Sequence, residues 1–546
     1  MRIAIIAPPY PLEEAPAPPL GVSYVAAAFE SAGADVKVMD YIVSRYRPEK
    51  LKTELDTFKP DAVGTTSVTM NFPMAVEIIR DVKAINPSIV TMMGGPHVTF
   101  DAENTLKKHP EIDLLVLGEG ERTILELTPF IKDRTSWPEI RGVAYVDDER
   151  VVITEPRSFN QDIDSLPFPS RHLLPISRYL ALGFPVSIIT SRGCPNRCIF
   201  CQGRRMVGHK VRYRDPMKVV DEIEEIISYG FTRINVADDL FVSKKERAQA
   251  ICKEILRRKL NITWSAFARV NTVDFDTLHI MHEAGCDTVS FGIESGNPEM
   301  LKRIRKGITI NQARRAVNLC REVGILPHAS FMVGLPGETH TTLRDTEEFA
   351  QSLRILYGYH YLAPFPGTTV REDIDSYDLE ILTDDWALYD ANRAIVRTSG
   401  VSPEEMEKFV EEYYQEFRDY SEKAEQRYRE GTATQEEILS VLGHRRTDFT
   451  YRLLSEDIIE EHCQFPLEIL KSHPGQEETL LSKKVTQVTG LDGELITNTL
   501  KNFIENGYLK TQNINNHLTW YWTHNKREDF WNPPHSIQES SQESTP

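Results

Sequence analysis

The sequence predicts an α/β protein in three parts: a doubly wound sheet, six units of a partial (β/α)6 barrel, and a mainly helical C-terminal region. Three observations predict it. Short apolar runs alternate with amphipathic helical runs over residues 1–130 and again from Val186 to Pro364, and strand–helix alternation of this kind implies parallel sheets. Helical runs such as MKVVDEIEEIISYG and INQARRAVNLCREVG end near a Gly that can cap them. Beyond Asp373 the strand pattern stops.

The first unit is assigned to residues 1–135. RIAIIAPP is a buried strand bounded by proline, and GVSYVAAAFESAG is a helix with a terminal Gly. VKVMD, DAVGTTS, IVTMMGG and DLLVLGEGE follow as strands, for a sheet of about five. Ligands of such sheets bind outside the strand carboxyl ends. The chain places Pro8, Pro9 and Tyr10 there, then Thr66, Ser67 and Thr69, then Gly94, Gly95 and His97, then Gly118, Glu119, Gly120 and Glu121. This rim is rich in Gly and hydroxyls and has no basic cluster. It carries neither G-x-G-x-x-G after the first strand nor G-x-x-x-x-G-K-[ST], which disfavours a phosphate-rich nucleotide. Residues 136–180 are expected to form a hairpin, RGVAYVDDERVVITEP turning at Asp147 and Asp148, and a proline-punctuated linker.

The second unit spans 181–372, with strand candidates VSIIT, RINVA, TWSAFA, TVSFGI, HASFMV and YHYLAP. Functional groups gather at strand C-terminal ends in (β/α) barrels. The first of those ends carries SRGCPNRCIFC, which sets Cys194, Cys198 and Cys201 in a C-x3-C-x2-C spacing. Three thiolates held this close suit three irons of a [4Fe–4S] cluster, with the fourth iron open to a small molecule. A zinc site normally adds a second Cys or His pair; here Cys252, Cys286, Cys320 and Cys463 are each solitary in apolar or amphipathic stretches, where a lone Cys packs as a small hydrophobe. A disulfide framework is disfavoured by the odd count of seven and by the lack of a signal peptide. Asp238 and Asp239 follow the second strand, Arg269 the third, Glu294 the fourth, and a Gly-Pro segment the fifth.

These motifs resemble the radical S-adenosylmethionine (radical SAM) family. An aromatic residue commonly precedes the third Cys there, here Phe200. FGIESG, with Gly292 and Glu294, resembles the family's segment near the cofactor; MVGLPGET, with Gly334 and Pro336, resembles the Gly-Pro segment after the fifth strand; APFPGT resembles the end of the sixth. The resemblance implies S-adenosylmethionine chelated at the open iron and cleaved reductively to a 5′-deoxyadenosyl radical. The N-terminal unit resembles the cobalamin-binding domain fused to one large class of these proteins, through PLGVSYVAA, MGGPHVT and LGEGE. The D-x-H-x-x-G motif that supplies a cobalt-ligating His in many such domains is absent. The expectation is cobalamin without an imidazole on cobalt, its lower face open or near a weak ligand such as Tyr10. For His97 the alternative is a loop residue, and for the whole unit a degenerate copy that binds no corrin.

The C-terminal part divides into a helical extension at 373–460, with VSPEEMEKFVEEYYQEFRDYSEKAEQRYREG as one long helix, a winged-helix-like module at 461–530, and a disordered tail at 531–546. A net charge of −18 disfavours nucleic acid as partner of that module. No apolar stretch approaches the roughly 18 residues of a membrane span, and an oxygen-sensitive cluster without targeting signals predicts a cytoplasmic protein. The function expected is methylation of an unactivated carbon of a small molecule or lipid, fed by a low-potential electron donor such as flavodoxin or ferredoxin. The alternative is a cyclase or ring-forming enzyme of the magnesium-protoporphyrin monomethyl ester cyclase kind. A cobalamin or redox sensor with a winged-helix output is a third reading, disfavoured by the intact cluster motif and Glu294.

Overall fold

The computed structural model describes residues 1–10, 15–472 and 474–523; the tail assigned to 531–546 lies outside them. Five parallel strands, β1 (Arg2–Ala7), β2 (Asp35–Asp40), β3 (Ala62–Thr66), β4 (Val90–Gly94) and β5 (Leu114–Val116), form the first sheet in the order β2-β1-β3-β4-β5. The order reverses between β1 and β3, and a crevice opens at such a switch point. The chain folds this way because β1 is apolar on both sides, with Ile3, Ala4, Ile5 and Ile6 all buried, as a strand covered by helices on both faces must be.

The hairpin assigned above to a connector belongs to this sheet. Strands β6 (Val143–Asp147) and β7 (Arg150–Ile153) add antiparallel to β5 and then to each other. Without them the three-residue β5 would be a bare edge. Asp148 and Glu149 make the two-residue turn with φ of 42° and 64°, the positive-φ pair that a tight hairpin requires.

The second sheet has six parallel strands in chain order: β8 (Val186–Ile188), β11 (Arg233–Val236), β12 (Thr263–Ala268), β13 (Cys286–Glu294), β14 (Leu326–Val333) and β15 (Leu356–Tyr361). A two-stranded ribbon, β9 (Ser191–Arg192) with β10 (Arg212–Tyr213), interrupts the series after β8. The apolar run VSIIT does not remain in the sheet to its end. The Thr190 amide and hydroxyl both donate to Asp238 at 2.6 Å, which turns the chain into the ribbon. The helices between strands bury one stripe. In Ile310–Val323 the buried residues Ala313, Ala316, Val317 and Cys320 follow helical spacing. A Thr309–Gln312 capping box opens that helix and left-handed Gly324 closes it. Cys252, Cys286, Cys320 and Cys463 are all buried and unbridged, as cysteines that pack as small hydrophobes.

The long helix, Pro403–Glu430, starts at a Ser402–Glu405 capping box and ends at Gly431. It covers the outer strand of the barrel: Tyr413 stacks on Tyr357 at 4.7 Å, and Phe409 meets Tyr359 edge-on at 5.1 Å. The last module has helices Leu467–Ser472, Glu477–Thr489 and Gly493–Glu505 with a three-stranded sheet, Gln464–Pro466, Leu509–Ile514 and His517–Trp522. Its Leu481, Phe503 and Trp522 belong to the same continuous core as the barrel strands.

Glu338 is the most demanding buried charge in this part. Its carboxylate accepts from the Gly334 amide at 2.5 Å and from the Leu335 amide at 3.3 Å, yet one oxygen has no partner among the described residues. Burial pushes its pKa up to about 8, against those two amides. The folded chain therefore holds a proton that the unfolded chain has released between pH 4.5 and about 8. Stability should fall as pH rises through that window, by a few kcal/mol. Glu338→Gln, neutral throughout, should flatten the dependence; thermal melts at the two ends of the window compare it with the wild type.

Candidate active site

A cavity of about 390 Å³ lies between the carboxyl ends of the first sheet and the mouth of the barrel. From the first unit come Thr66, Gly94, Gly95, Gly118, Glu119, Gly120 and Glu121, with Gly64 and Tyr24 beside them. From the barrel side come Ile189, Ser191, Arg192, Met206, Val207, Ala237 and Asp239. A deeper apolar slot continues between Ile5, Val22, Phe29, Met92 and Ile124. Glycine is required at Gly95, where φ is +105° and a Cβ would lie 2.9 Å from the Ser67 amide nitrogen. At Gly64 a Cβ would meet only the Met92 methyl at 3.8 Å, so its missing side chain leaves room in the cavity.

Ion pairs join the two sheets along one side of the cavity. Arg192 reaches Glu121 at 2.6 Å and Glu119 at 3.5 Å; Arg212 meets Glu119 at 2.7 Å. All four side chains are at most 10% exposed. Burial disfavours the Arg192 charge, but Glu121 and Glu119 outweigh it and hold its pKa up. The guanidinium also lies 5.1 Å from the ring of Tyr24. Burial pushes the Tyr24 hydroxyl up to about 12, so it stays protonated.

The cysteine loop leaves β9 directly after Arg192. The Cys194 amide donates to the Gly208 carbonyl at 3.0 Å, pinning the loop's ends together. Donors surround the sulfurs: Asn196 Nδ2 is 3.3 Å from Cys194 Sγ, the Gly203 amide is 3.3 Å from Cys201 Sγ, and an Arg269 nitrogen is 3.9 Å from Cys198 Sγ. The protein around Cys201 pushes its thiol up to about 11, with Cys198, Asp239 and Cys194 adding in the same direction; bound iron reverses such a shift. Among the described residues no three His, Cys, Asp or Glu side chains converge on a single-ion site. Thiolates of a cluster each take a separate iron and need no such convergence.

The two aspartates divide the work. Asp238 is buried and spends both oxygens on Thr190 and Ser191, so it shapes the loop rather than lining the cavity. Asp239 lines the cavity, and burial raises its pKa. Glu294 ends β13 at a register shift with φ of +73°, and its carboxylate pairs with Lys306 at 2.6 Å. A Cβ on Gly292 would lie 3.1 Å from that Lys306 nitrogen. Lys306 sits 5.7 Å from the ring of Phe200, and Arg269 bonds the Lys306 carbonyl. Cys198, Phe200, Arg269, Glu294 and Lys306 thus form one connected group.

Several predicted rim residues lie elsewhere. The Gly334–Pro336 segment packs beneath the C-terminal extension: a Cβ on Gly334 would lie 2.9 Å from Val396, and the Pro336 carbonyl accepts from Arg303 at 2.9 Å. Pro8, Pro9 and Tyr10 are not among the cavity walls, and the Tyr10 carbonyl accepts from the Tyr451 hydroxyl at 2.9 Å. Ser67 and Thr69 are buried behind the glycines. His97, in a short helix, is stacked 4.0 Å from Phe72 and meets Trp386 edge-on at 5.0 Å. Burial holds its pKa down to about 3. The sequence reading missed Arg192, Arg212, Lys306, Tyr24 and Gly64. Arg192 stood two residues before Cys194, which was a usable signal; Lys306 had none.

A family model for the B12 binding domain matches residues 14–128, and one for the radical SAM superfamily matches residues 188–350. The chain is 35% identical over 403 residues to an uncharacterized methyltransferase of Pyrococcus horikoshii, covering 73% of this chain and 87% of that protein. The chain belongs to the radical SAM superfamily, in its cobalamin-binding class. It is also 33% identical to the anaerobic magnesium-protoporphyrin IX monomethyl ester cyclase of Rubrivivax gelatinosus, over 61% of this chain and 62% of that protein. The fold matches the solved cobalamin-dependent S-adenosylmethionine radical enzyme OxsB with a TM-score of 0.65 at 18% identity, covering 93% of this chain and 80% of that one. It matches the methyltransferase TsrM of Kitasatospora setae with a TM-score of 0.61 at 21% identity, covering 74% and 84%. The enzyme's cofactors are accordingly S-adenosylmethionine, a [4Fe–4S] cluster and cobalamin. Among the described residues no helix is long and apolar enough to cross a membrane.

Two variants test this geometry. Arg192→Gln leaves Glu121 buried without its partner and should cost about 3–5 kcal/mol in denaturant unfolding. Adding Glu121→Gln should restore much of that loss; additive losses would mean the pair is not coupled. Gly64→Leu should fill the cavity without backbone strain, leaving the melting temperature near that of the wild type while cobalamin retention on gel filtration drops.

Proposed function

We propose that the enzyme is a cobalamin-dependent methyltransferase that acts on an unactivated carbon of a small molecule or lipid. One observation carries the cobalamin-dependent radical part of this reading: a single cavity is walled by both the glycine rim of the first sheet and the chain that leads into the cysteine loop. Relatives named methyltransferases support it. The chain is 25% identical to the cytidylyl-2-hydroxyethylphosphonate methyltransferase of Streptomyces wedmorensis, over 61% of this chain and 73% of that protein.

When bound, the cluster and S-adenosylmethionine supply a radical, and cobalamin supplies a transferable methyl group. Cys194, Cys198 and Cys201 would hold the cluster, a soft thiolate set with hydrogen-bond donors at each sulfur. Those donors stabilise thiolate charge and so tune reduction. Glu294, held by Lys306, and Arg269 stand beside that loop, placed to orient the amino and carboxylate ends of S-adenosylmethionine. The glycines at 64, 94, 95, 118 and 120 leave a cradle that side chains would fill, and the apolar slot behind them accepts a flat ring. The cavity is apolar over most of its wall and fits cobalamin on that ground. Tyr24 stays neutral, and Arg192 is neutralised by Glu119 and Glu121, so the Asp239 carboxyl is the main ionisable group the wall leaves without an ion-pair partner. Enclosure between two sheets excludes water from reactive species. We further place the enzyme in the cytoplasm, with a low-potential donor supplying electrons. The cyclase relative keeps a second reading open, since both chemistries use the same cavity.

The deciding experiment is a product assay on anaerobically reconstituted protein with S-adenosylmethionine, cobalamin, a strong reductant and candidate metabolites. Substrate-dependent 5′-deoxyadenosine together with S-adenosylhomocysteine is the expected result. Deoxyadenosine alone moves the assignment to a cyclase or rearrangement. Cys198→Ala should lose both cluster iron and all cleavage; cleavage surviving in that variant would overturn the cluster assignment.

A further inference from the structure

The six barrel strands turn one face to the helices and the other to the barrel's interior. The helix face is apolar and buried, with Ile188, Val236, Ala266, Phe291, Phe331 and Tyr359 in the core. Neighbouring positions on a strand point the opposite way, so the interior receives Ser187, Asn235, Ser265, Ser290, Ser330 and two histidines, His328 and His360. Ser265 donates to Asn235 at 3.1 Å. The side chains of His328, Ser330 and His360 have no hydrogen-bond partner among the described residues. β14 pairs with β15 so that Ser330 lies opposite Gly358, with His328 two residues below on one strand and His360 two residues above on the other. Gly358 leaves a notch in this wall. A Cβ there would lie 3.4 Å from the hydroxyl of Tyr414, which the long helix Pro403–Glu430 brings around the edge strand. That hydroxyl also has no hydrogen-bond partner among the described residues. Burial, and then the nearby His360, hold the His328 pKa below its ordinary value. Every side chain around the notch can donate a hydrogen bond, and none is an acid. The six strands contain two acids, Asp287 and Glu294, and these are paired with Arg233 at 3.2 Å and Lys306 at 2.6 Å. Glu407 and Glu411 of the long helix act on Tyr361, on the other face of β15.

We propose that the notch at Gly358 seats an anionic oxygen group of the substrate, a carboxylate or a phosphate, so that the barrel takes a polar small molecule and rejects a lipid chain. The inference rests on the proposed function and names the substrate class of that site. An oxygen anion accepts from several donors at once, and His328, Ser330, His360 and Tyr414 supply donors from both strands and from the covering helix. Small pockets of this kind fix a ligand through a few convergent polar groups. A lipid chain laid along the same wall would leave those donors dehydrated and unpaired, which disfavours it. Aliphatic side chains return to this face at the strands' amino ends, with Leu326 and Leu356, on the far side of His328 from the rim. Gly358 lies three residues short of the end of β15, about 10 Å at the ordinary rise per residue. A molecule anchored at the notch therefore brings its other end to the rim that carries Glu294 and the cysteine loop.

The test uses the full chain with its cluster, cobalamin and S-adenosylmethionine in place, so that those sites are filled. Inorganic phosphate and acetate are the probes, and affinity is read by isothermal titration calorimetry. At least one should bind saturably at one site per chain, and the tighter of the two tells a phosphate from a carboxylate. Acetamide, the neutral counterpart of acetate, and 1-decanol, a lipid-like probe, should neither bind nor displace the anion. His328→Gln and His360→Gln should each weaken the anion on the order of tenfold, the loss of one charge-assisted hydrogen bond. Gly358→Val fills the notch while keeping both imidazoles and should abolish binding. Tyr414→Phe keeps the ring's packing, so it reads the hydroxyl alone should the valine variant fail to fold; a loss of about threefold is expected there. An anion that does not bind the wild type, affinity unchanged in the folded variants, or displacement by 1-decanol overturns the proposal. Binding needs no radical chemistry. A wild type that holds the anion but yields neither 5′-deoxyadenosine nor S-adenosylhomocysteine condemns the proposed function and leaves the anion site standing.

Discussion

The buried ion pairs of Arg192 and Arg212 with Glu119 and Glu121 set the position of everything in the active cavity. The acids close the first sheet's rim, and the arginines sit on the ribbon that frames the cysteine loop. Arg192 is two residues from Cys194, so the distance from glycine cradle to cysteine loop is set by two side chains and two peptide bonds. Buried charges of this kind are poor sources of net stability, because desolvation offsets most of their attraction. They are effective against misplacement, since sliding one unit past the other strands a charge in a dry interface. A hydrophobic interface of the same area would tolerate a shift; this one does not.

The architecture was largely legible because periodicity reports burial. Strands such as TWSAFA alternate, and the run INQARRAVNLCREVG repeats at helical spacing, so their boundaries agree with Thr263–Ala268 and Ile310–Val323. Where a single tertiary contact decided the outcome, the pattern was silent. VSIIT should extend as one strand by propensity, but Asp238 captures Thr190 from the next unit and bends it away. The hairpin at 143–153 was visible as a hairpin, while its attachment to β5 depended on how short β5 would be.

The site was legible to the extent that its chemistry is local in sequence. Three cysteines within eight residues announce themselves; Lys306 and Arg192 do not, because a lone basic residue in a loop carries no period and no spacing. Position at a strand's carboxyl end was a necessary clue but not a sufficient one. Asp238 and Asp239 share that position, yet Asp238 is spent on the Thr190 amide and the Thr190 and Ser191 hydroxyls, while Asp239, at the turn that follows, meets the cavity. Gly334 meets the same fate as Asp238 for a different reason: the C-terminal extension covers it with Val396 and Met406, while the buried Pro336 is held by Arg303.

That extension also explains the fate of His97. The chain after β15 returns to the first unit, where Arg371 lies 4.7 Å from the ring of Trp386 and Trp386 abuts His97. A metal-ligating imidazole needs one nitrogen lone pair free toward the metal and the other nitrogen held in place. His97 has Nδ1 3.3 Å from the Thr69 hydroxyl, and its ring is closed in by Phe72 and Trp386. Swinging it into the cavity would abandon both ring contacts and open a void beneath the extension. Its low pKa follows from the same enclosure, with Arg371 and His109 adding in the same direction, and the Asp101 carboxylate 3.9 Å away does not offset it. The ring therefore serves as a neutral packing post between the first unit and the segment that closes over it.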